Sequence, residues 1–196
     1  MNKVRLEAFS DGVLAIIITI MVLEIKVPHD TSWHSLAELR PVLLSYILSF
    51  IYVGIYWGNH HHLLHAVKRV NSSIIWANLH LLFWLSLVPL VTSWMGENHM
   101  EPNTIVAYAI VLLMCGVAFT ILQMTIEKSN PFTEKMAAAY KKVMQKGIAS
   151  LIGYSLAIGL AFVNTYISCA IIIFIAILWI VPDKHIENAV KNEEKV

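Results

Sequence analysis

Apolar residues in this chain fall into long blocks separated by short polar segments. This is neither the period-two alternation of half-buried strands nor the narrow stripe of a water-facing helix. A membrane-crossing helix needs about 20 predominantly apolar residues. The chain offers six such spans, at about 4–27, 41–57, 74–94, 104–126, 148–162 and 168–181. The last two come from one block, Ile148 to Val181. As a single helix it would reach about 51 Å, against a hydrocarbon core of about 30 Å. Asn164-Thr165-Tyr166 divides it. The first block does not read as a cleaved signal peptide. Its apolar stretch carries Thr19, and Glu24-Ile25-Lys26-Val27-Pro28 follows with no small-x-small cleavage site. The pattern therefore predicts an all-α integral membrane protein, with residues 1–196 forming a single six-helix transmembrane unit.

Composition agrees. The AVILMFWYC fraction is 58% and charged residues make up 14%, against about 45–50% and about 25% in soluble domains. Mean hydropathy is +0.66. These figures exclude an intrinsically disordered chain, a coiled coil and a disulfide scaffold. Cys115 and Cys169 both lie inside apolar blocks and carry no information on redox compartment. A net charge of +1 gives no support for a nucleic-acid partner.

The distribution of charge is more informative. With six spans, Lys3, Arg5, Lys68, Arg69, Lys128, Lys135, Lys141, Lys142, Lys146, Lys184, Lys191 and Lys195 fall on one side. Only Lys26 and Arg40 fall on the other. Cytoplasmic loops carry the excess of Lys and Arg, so both termini are expected in the cytoplasm of a prokaryotic cell, with the chain crossing the plasma membrane several times. Glu127 to Lys146 reads as the longest cytoplasmic loop. Within it Met136 to Met144 has helical character, as an interfacial helix or as an extension of the fifth span. The two three-span halves show no internal repeat.

The first helix carries unusual chemistry. Arg5, Glu7, Ser10 and Asp11 precede an unbroken apolar body that begins at Gly12. Charge in a membrane helix is costly and generally faces protein or water. With Asp11 at 0° on a helical wheel, Gly12, Ile16, Thr19 and Leu23 fall at about 100°, 140°, 80° and 120°. Ser10 falls on another side, at about −100°. One face is thus polar and pinned to neighbours, and a separate face is apolar with one hydroxyl. By residue type alone that stripe fits either helix packing or the lining of a pore.

Arg5-Leu6-Glu7-Ala8-Phe9-Ser10-Asp11-Gly12 resembles the Arg-x-x-x-Phe-Ser-Asp motif that opens the first helix of the transmembrane-protein-175 potassium channels. Six spans, cytoplasmic termini and a length near 200 are similar to the prokaryotic members. The resemblance implies a homotetramer whose first helices surround a pore on the symmetry axis. It implies a constriction at Ile16, Thr19 and Leu23. It gives Arg5, Phe9, Ser10 and Asp11 a role in holding helices together. No Thr-Val-Gly-Tyr-Gly filter is present; Ile152-Gly153-Tyr154-Ser155 is only a fragment within a span. Selectivity is then expected from pore width and dehydration at an apolar neck, giving a modest preference for potassium, with rubidium and caesium permeant.

Asn59-His60-His61-His62-Leu63-Leu64-His65 closes the second span. Several separated histidine boxes mark membrane metalloenzymes, and this chain has one box plus His80. No metal, no other cofactor and no enzymatic activity are expected. The resemblance implies that Trp57 and one of the histidines, His60 or His61, hydrogen-bond Ser10 or Asp11, and such a contact would titrate near neutral pH. Asn78 and His80 are expected to form interhelical hydrogen bonds. The alternative function is a proton channel or proton-coupled transporter that relays protons through Asp11 and the cytoplasmic-side histidines. The expected partners are further copies of the chain, the lipid bilayer and potassium ions.

Overall fold

The structure, a computed structural model, describes residues 2–130 and 133–180. Every regular element among them is helical: α1 (Lys3–Leu23), α2 (Trp33–Glu38), α3 (Arg40–His65), α4 (Ser72–Ser86), α5 (Val88–Glu97), α6 (Pro102–Ser129), α7 (Glu134–Leu160) and α8 (Thr165–Ile180). Helices α1, α3 and α6, the run from Ser72 to Glu97, and Met136–Leu160 within α7 are long and apolar enough to cross a bilayer; α8 is a shorter apolar helix. Its last predicted residue, Val181, lies outside the described residues.

The helix bounds depart from the apolar spans in instructive ways. The first helix stops at Leu23 rather than Val27, because Pro28 disfavours helical geometry in the residue before it and the chain turns at Glu24. The second continues eight residues past Trp57 to His65. That polar end lies beyond the apolar span, and Leu63 and Leu64 are buried there. The third span is broken at Leu87. Pro89 has no N–H to offer the Leu85 carbonyl and its ring crowds that turn, so α5 restarts with Pro89 in its first turn. The loop expected from Glu127 to Lys146 is mostly helix, split between the end of α6 and a long N-terminal extension of α7. Thr133 caps that extension by accepting from the Met136 N–H, and Met136, Tyr140 and Val143 form its buried side. Of the two readings of Met136 to Met144, the extension is the one observed.

The core lies between α3, α4, α6 and α7, where Tyr52, Val53, Leu81, Tyr108, Leu112, Leu122 and Ala157 are buried. Helix α1 packs on the outside of this bundle, against α3, α4 and α5. The α3–α5 crossing is very close. A Cβ added to Gly96 would sit 2.5 Å from Ser45 Oγ and 2.8 Å from the Val42 Cα.

Candidate functional site at the first helix

The two sides of α1 differ sharply. Leu6, Ser10, Leu14, Ile17 and Met21 are buried, at i, i+4, i+8, i+11 and i+15, and form the seam against α3, α4 and α5. Phe9, Ile16 and Leu23 are 51%, 59% and 80% exposed. Gly12 and Thr19 share that open side, and a Cβ added at Gly12 would meet nothing within 4 Å. The stripe separated by helical arithmetic is therefore the side of α1 that the protomer leaves bare. Thr19 donates its hydroxyl proton to the Ile16 carbonyl at 2.8 Å, so its oxygen keeps lone pairs for an outside donor or cation.

The buried side contains a polar network across three helices. His60 on α3 approaches Asn78 on α4, with Nε2 2.7 Å from Oδ1. Asn78 donates through Nδ2 to Ser10 Oγ at 3.0 Å. Ser10 donates to the Leu6 carbonyl at 2.9 Å. His60, Asn78 and Ser10 are all buried. In a low-dielectric interior such a closed network fixes one register, because any member left unpaired is costly. Ser10 is thus a structural residue of the bundle, reached by His60 through Asn78 rather than directly. Asn78 makes the expected interhelical hydrogen bond, and its part as the bridge was missed. The signal available was a lone amide in an apolar span, about two turns of helix from a capping asparagine, Asn71.

Asp11 has a different partner. Trp57 donates its indole Nε1–H to Asp11 Oδ1 at 3.0 Å. Both residues are exposed, and the bond ties α1 to α3 at the rim of the bare face. His61 does not join this pair by a hydrogen bond. Its ring lies 6.5 Å from Trp57 and stacks on His65 at 6.3 Å. His80 also departs from expectation: it accepts from Trp84 of its own helix at 3.0 Å, not from a neighbouring helix. Arg5 is exposed at the N-terminal end of the open stripe, and its side chain has no partner among the described residues. Those residues also contain no cluster of three histidine, cysteine or carboxylate side chains able to hold a metal.

Beside the bare face, α1 and α5 diverge to leave an open cleft of about 620 Å³. Ile16 and Ile20 line one wall and Leu90 and Trp94 the other, with Glu24 and Glu97 at its outer end. Lys26 Nζ lies 2.6 Å from Glu97 Oε1 and closes that end. The hydrogen bond to Glu97 raises the Lys26 pKa above its ordinary value.

The chain is thus a polytopic helix bundle whose opening helix is sealed on one side by polar bonds and bare on the other, and the comparisons with known proteins are specific. The family model described as the endosomal/lysosomal potassium channel TMEM175 matches residues 5–89, which hold the whole network above. A potassium channel of Chryseobacterium sp. (strain P1-3) is 52% identical over 192 residues, covering 98% of this chain and 100% of that protein. A potassium channel of Streptomyces collinus is 34% identical over 178 residues, 85% of each chain. The crystal structure of a lysosomal potassium-selective channel TMEM175 homolog from Chamaesiphon minutus superposes with a TM-score of 0.82 at 27% identity, over 92% of this chain and 97% of that one. The chain belongs to the TMEM175 family. It is thus a membrane channel protein and not an enzyme.

Proposed function

We propose that four copies of this chain assemble about a symmetry axis and conduct potassium passively through a pore lined by their α1 helices. The observation that carries this reading is the bare stripe of Gly12, Ile16, Thr19 and Leu23 on the helix that opens the family motif. A single protomer offers no water path along it, so a pore must lie between copies. The α1–α5 cleft supports the same arrangement, since it gives the next copy an apolar groove beside the stripe.

In this reading four Ile16 side chains form the neck. Such a ring conducts only when wetted, and it discriminates by the cost of stripping water from the ion. Thr19 offers oxygen lone pairs one turn away, which partly replace that water. There is no carbonyl filter, so potassium is preferred modestly and rubidium and caesium also pass. Both termini lie in the cytoplasm, as the skewed lysines and arginines indicate, and the protein sits in the plasma membrane of a prokaryote.

The proton-relay alternative finds no continuous relay from Asp11 to His60 among these bonds. The Trp57 indole is a donor only, so Asp11 is hydrogen-bonded to a group that cannot pass a proton on toward His60.

The test is potassium efflux from liposomes carrying the purified protein, with and without a protonophore. Efflux that needs the protonophore for charge balance is expected. Ile16→Asn is expected to raise conductance and lower selectivity. Unchanged currents in that variant would remove Ile16 as the neck. Proton uptake without potassium permeability would replace the potassium reading by the relay.

A further inference from the structure

We infer that the cytoplasmic rim formed by Arg69, Lys128 and Lys141 is a docking surface for the headgroup of an anionic phospholipid. The rim lies on the end of α6, the start of α7 and the α3–α4 turn, and does not depend on how the pore works.

Hydrogen bonds bring three separate segments together here. Asn130 accepts from the backbone N–H groups of Lys68 and Arg69 at 2.9 Å and 3.0 Å, which holds the α3–α4 turn against the end of α6. Asn71 adds a bond to Ser129 Oγ at 2.9 Å. Gln123 of α6 donates to the Tyr140 carbonyl at 3.0 Å, and the Tyr140 hydroxyl donates to the Leu63 carbonyl at 3.3 Å. These two bonds hold the start of α7 beside the ends of α3 and α6.

The result is a fixed cationic edge. Lys68, Arg69, Lys128, Lys141 and Lys142 are exposed along it, with Glu127 and Glu134 as the exposed acids. Lys68 and Lys142 have interactions within the protein. The side chains of Arg69, Lys128 and Lys141 have no hydrogen-bond or ion-pair partner among the described residues.

The adjoining surface selects a lipid over a free anion. Trp76, one turn into α4, is 71% exposed. An indole at that depth sits at the headgroup–acyl boundary. Ile121 and Met124 of α6 continue the exposed surface toward the membrane centre as apolar side chains. A phosphodiester at the rim thus has acyl chains that fit the surface below it. A free phosphate would meet only solvated cations, which screen readily.

The experiment is native mass spectrometry of the full chain in detergent with equal phosphatidylglycerol and phosphatidylcholine. Preferential retention of phosphatidylglycerol is expected. Each of Arg69→Gln, Lys128→Gln and Lys141→Gln should lower that preference by about fivefold, and the triple variant should abolish it. The charge-retaining Lys128→Arg/Lys141→Arg pair should keep it. So should Arg40→Gln, which lies at the opposite end of α3. An unchanged melting temperature in detergent shows that the triple variant is folded. Retained preference in that folded variant overturns the proposal. So does loss of the bound lipid to excess glycerol phosphate in the unaltered protein, which would mean a free-anion site.

Discussion

Ile16 and Ile17 are neighbours of the same residue type on one helix, yet the first is 59% exposed and the second 3%. The side of α1 that carries Ile17 closes on α3, α4 and α5. The side that carries Ile16 is left largely bare by the protomer. Hydropathy cannot separate them, because in a bilayer both faces are apolar. What separates them is the polar residue placed with each. Ser10 accompanies Ile17 and needs Asn78 and His60. Gly12 and Thr19 accompany Ile16, and Thr19 bonds only within its own helix, to the Ile16 carbonyl. In a membrane protein, hydrogen-bond demand, rather than hydrophobicity, marks the face that holds the fold together.

The sharpest break of this comparison is Ile17→Ala against Ile16→Ala. Truncation of a buried aliphatic side chain costs about 2–5 kcal/mol in water-soluble cores. Here the low end, about 2 kcal/mol, is expected, since the unfolded helices remain in lipid. Ile16→Ala should stay within about 0.5 kcal/mol while altering conduction. Unfolding in mixed micelles checks both, and equal losses would mean that the protomer or its copies seal both faces alike. Next comes Asn78→Leu, which fills the same space and leaves His60 and Ser10 without their partner. A loss of about 1–3 kcal/mol is expected, and the His60→Leu/Asn78→Leu double variant should recover part of it. Trp57→Phe removes only the bond to Asp11 and should cost about 0.5–1.5 kcal/mol; because that bond lies on the rim, stability should fall without loss of the buried network.

The smallest effect is expected at the outer end of α1. Glu97 raises the Lys26 pKa, so the pair stabilises the fold below the ordinary lysine range. That contribution is lost as pH rises through the elevated value. Both side chains are largely solvated, with 80% and 42% exposure, so salt should screen the effect. Glu97→Gln should remove the high-pH component of a melting-temperature profile taken at low salt. An identical profile would show that Lys26 titrates without regard to folding.

Much of this was legible in the chain. Blocks of apolar residues gave the helices, and periodicity on α1 separated the stripe from Ser10. Arg5, Phe9, Ser10 and Asp11 pointed to the family. Two things were not legible. The choice of Asn78 as bridge depends on how α3 and α4 lie against α1, which no local pattern encodes. His61 and His80 were assigned partners by chemistry alone, and geometry gave them a stacking neighbour and a partner within the helix instead.

Gly12 and Gly96 are both helical glycines, but their surroundings make them opposites in a genetic sense. A side chain at Gly96 collides with Ser45 and Val42 of the same chain. Such an allele spoils only its own product and should be recessive. A side chain at Gly12 meets open space in its own protomer, so that product folds and is available to join normal copies. If those copies share an axis, one bulky subunit obstructs all of them, and the allele should be dominant when co-expressed with the unaltered chain.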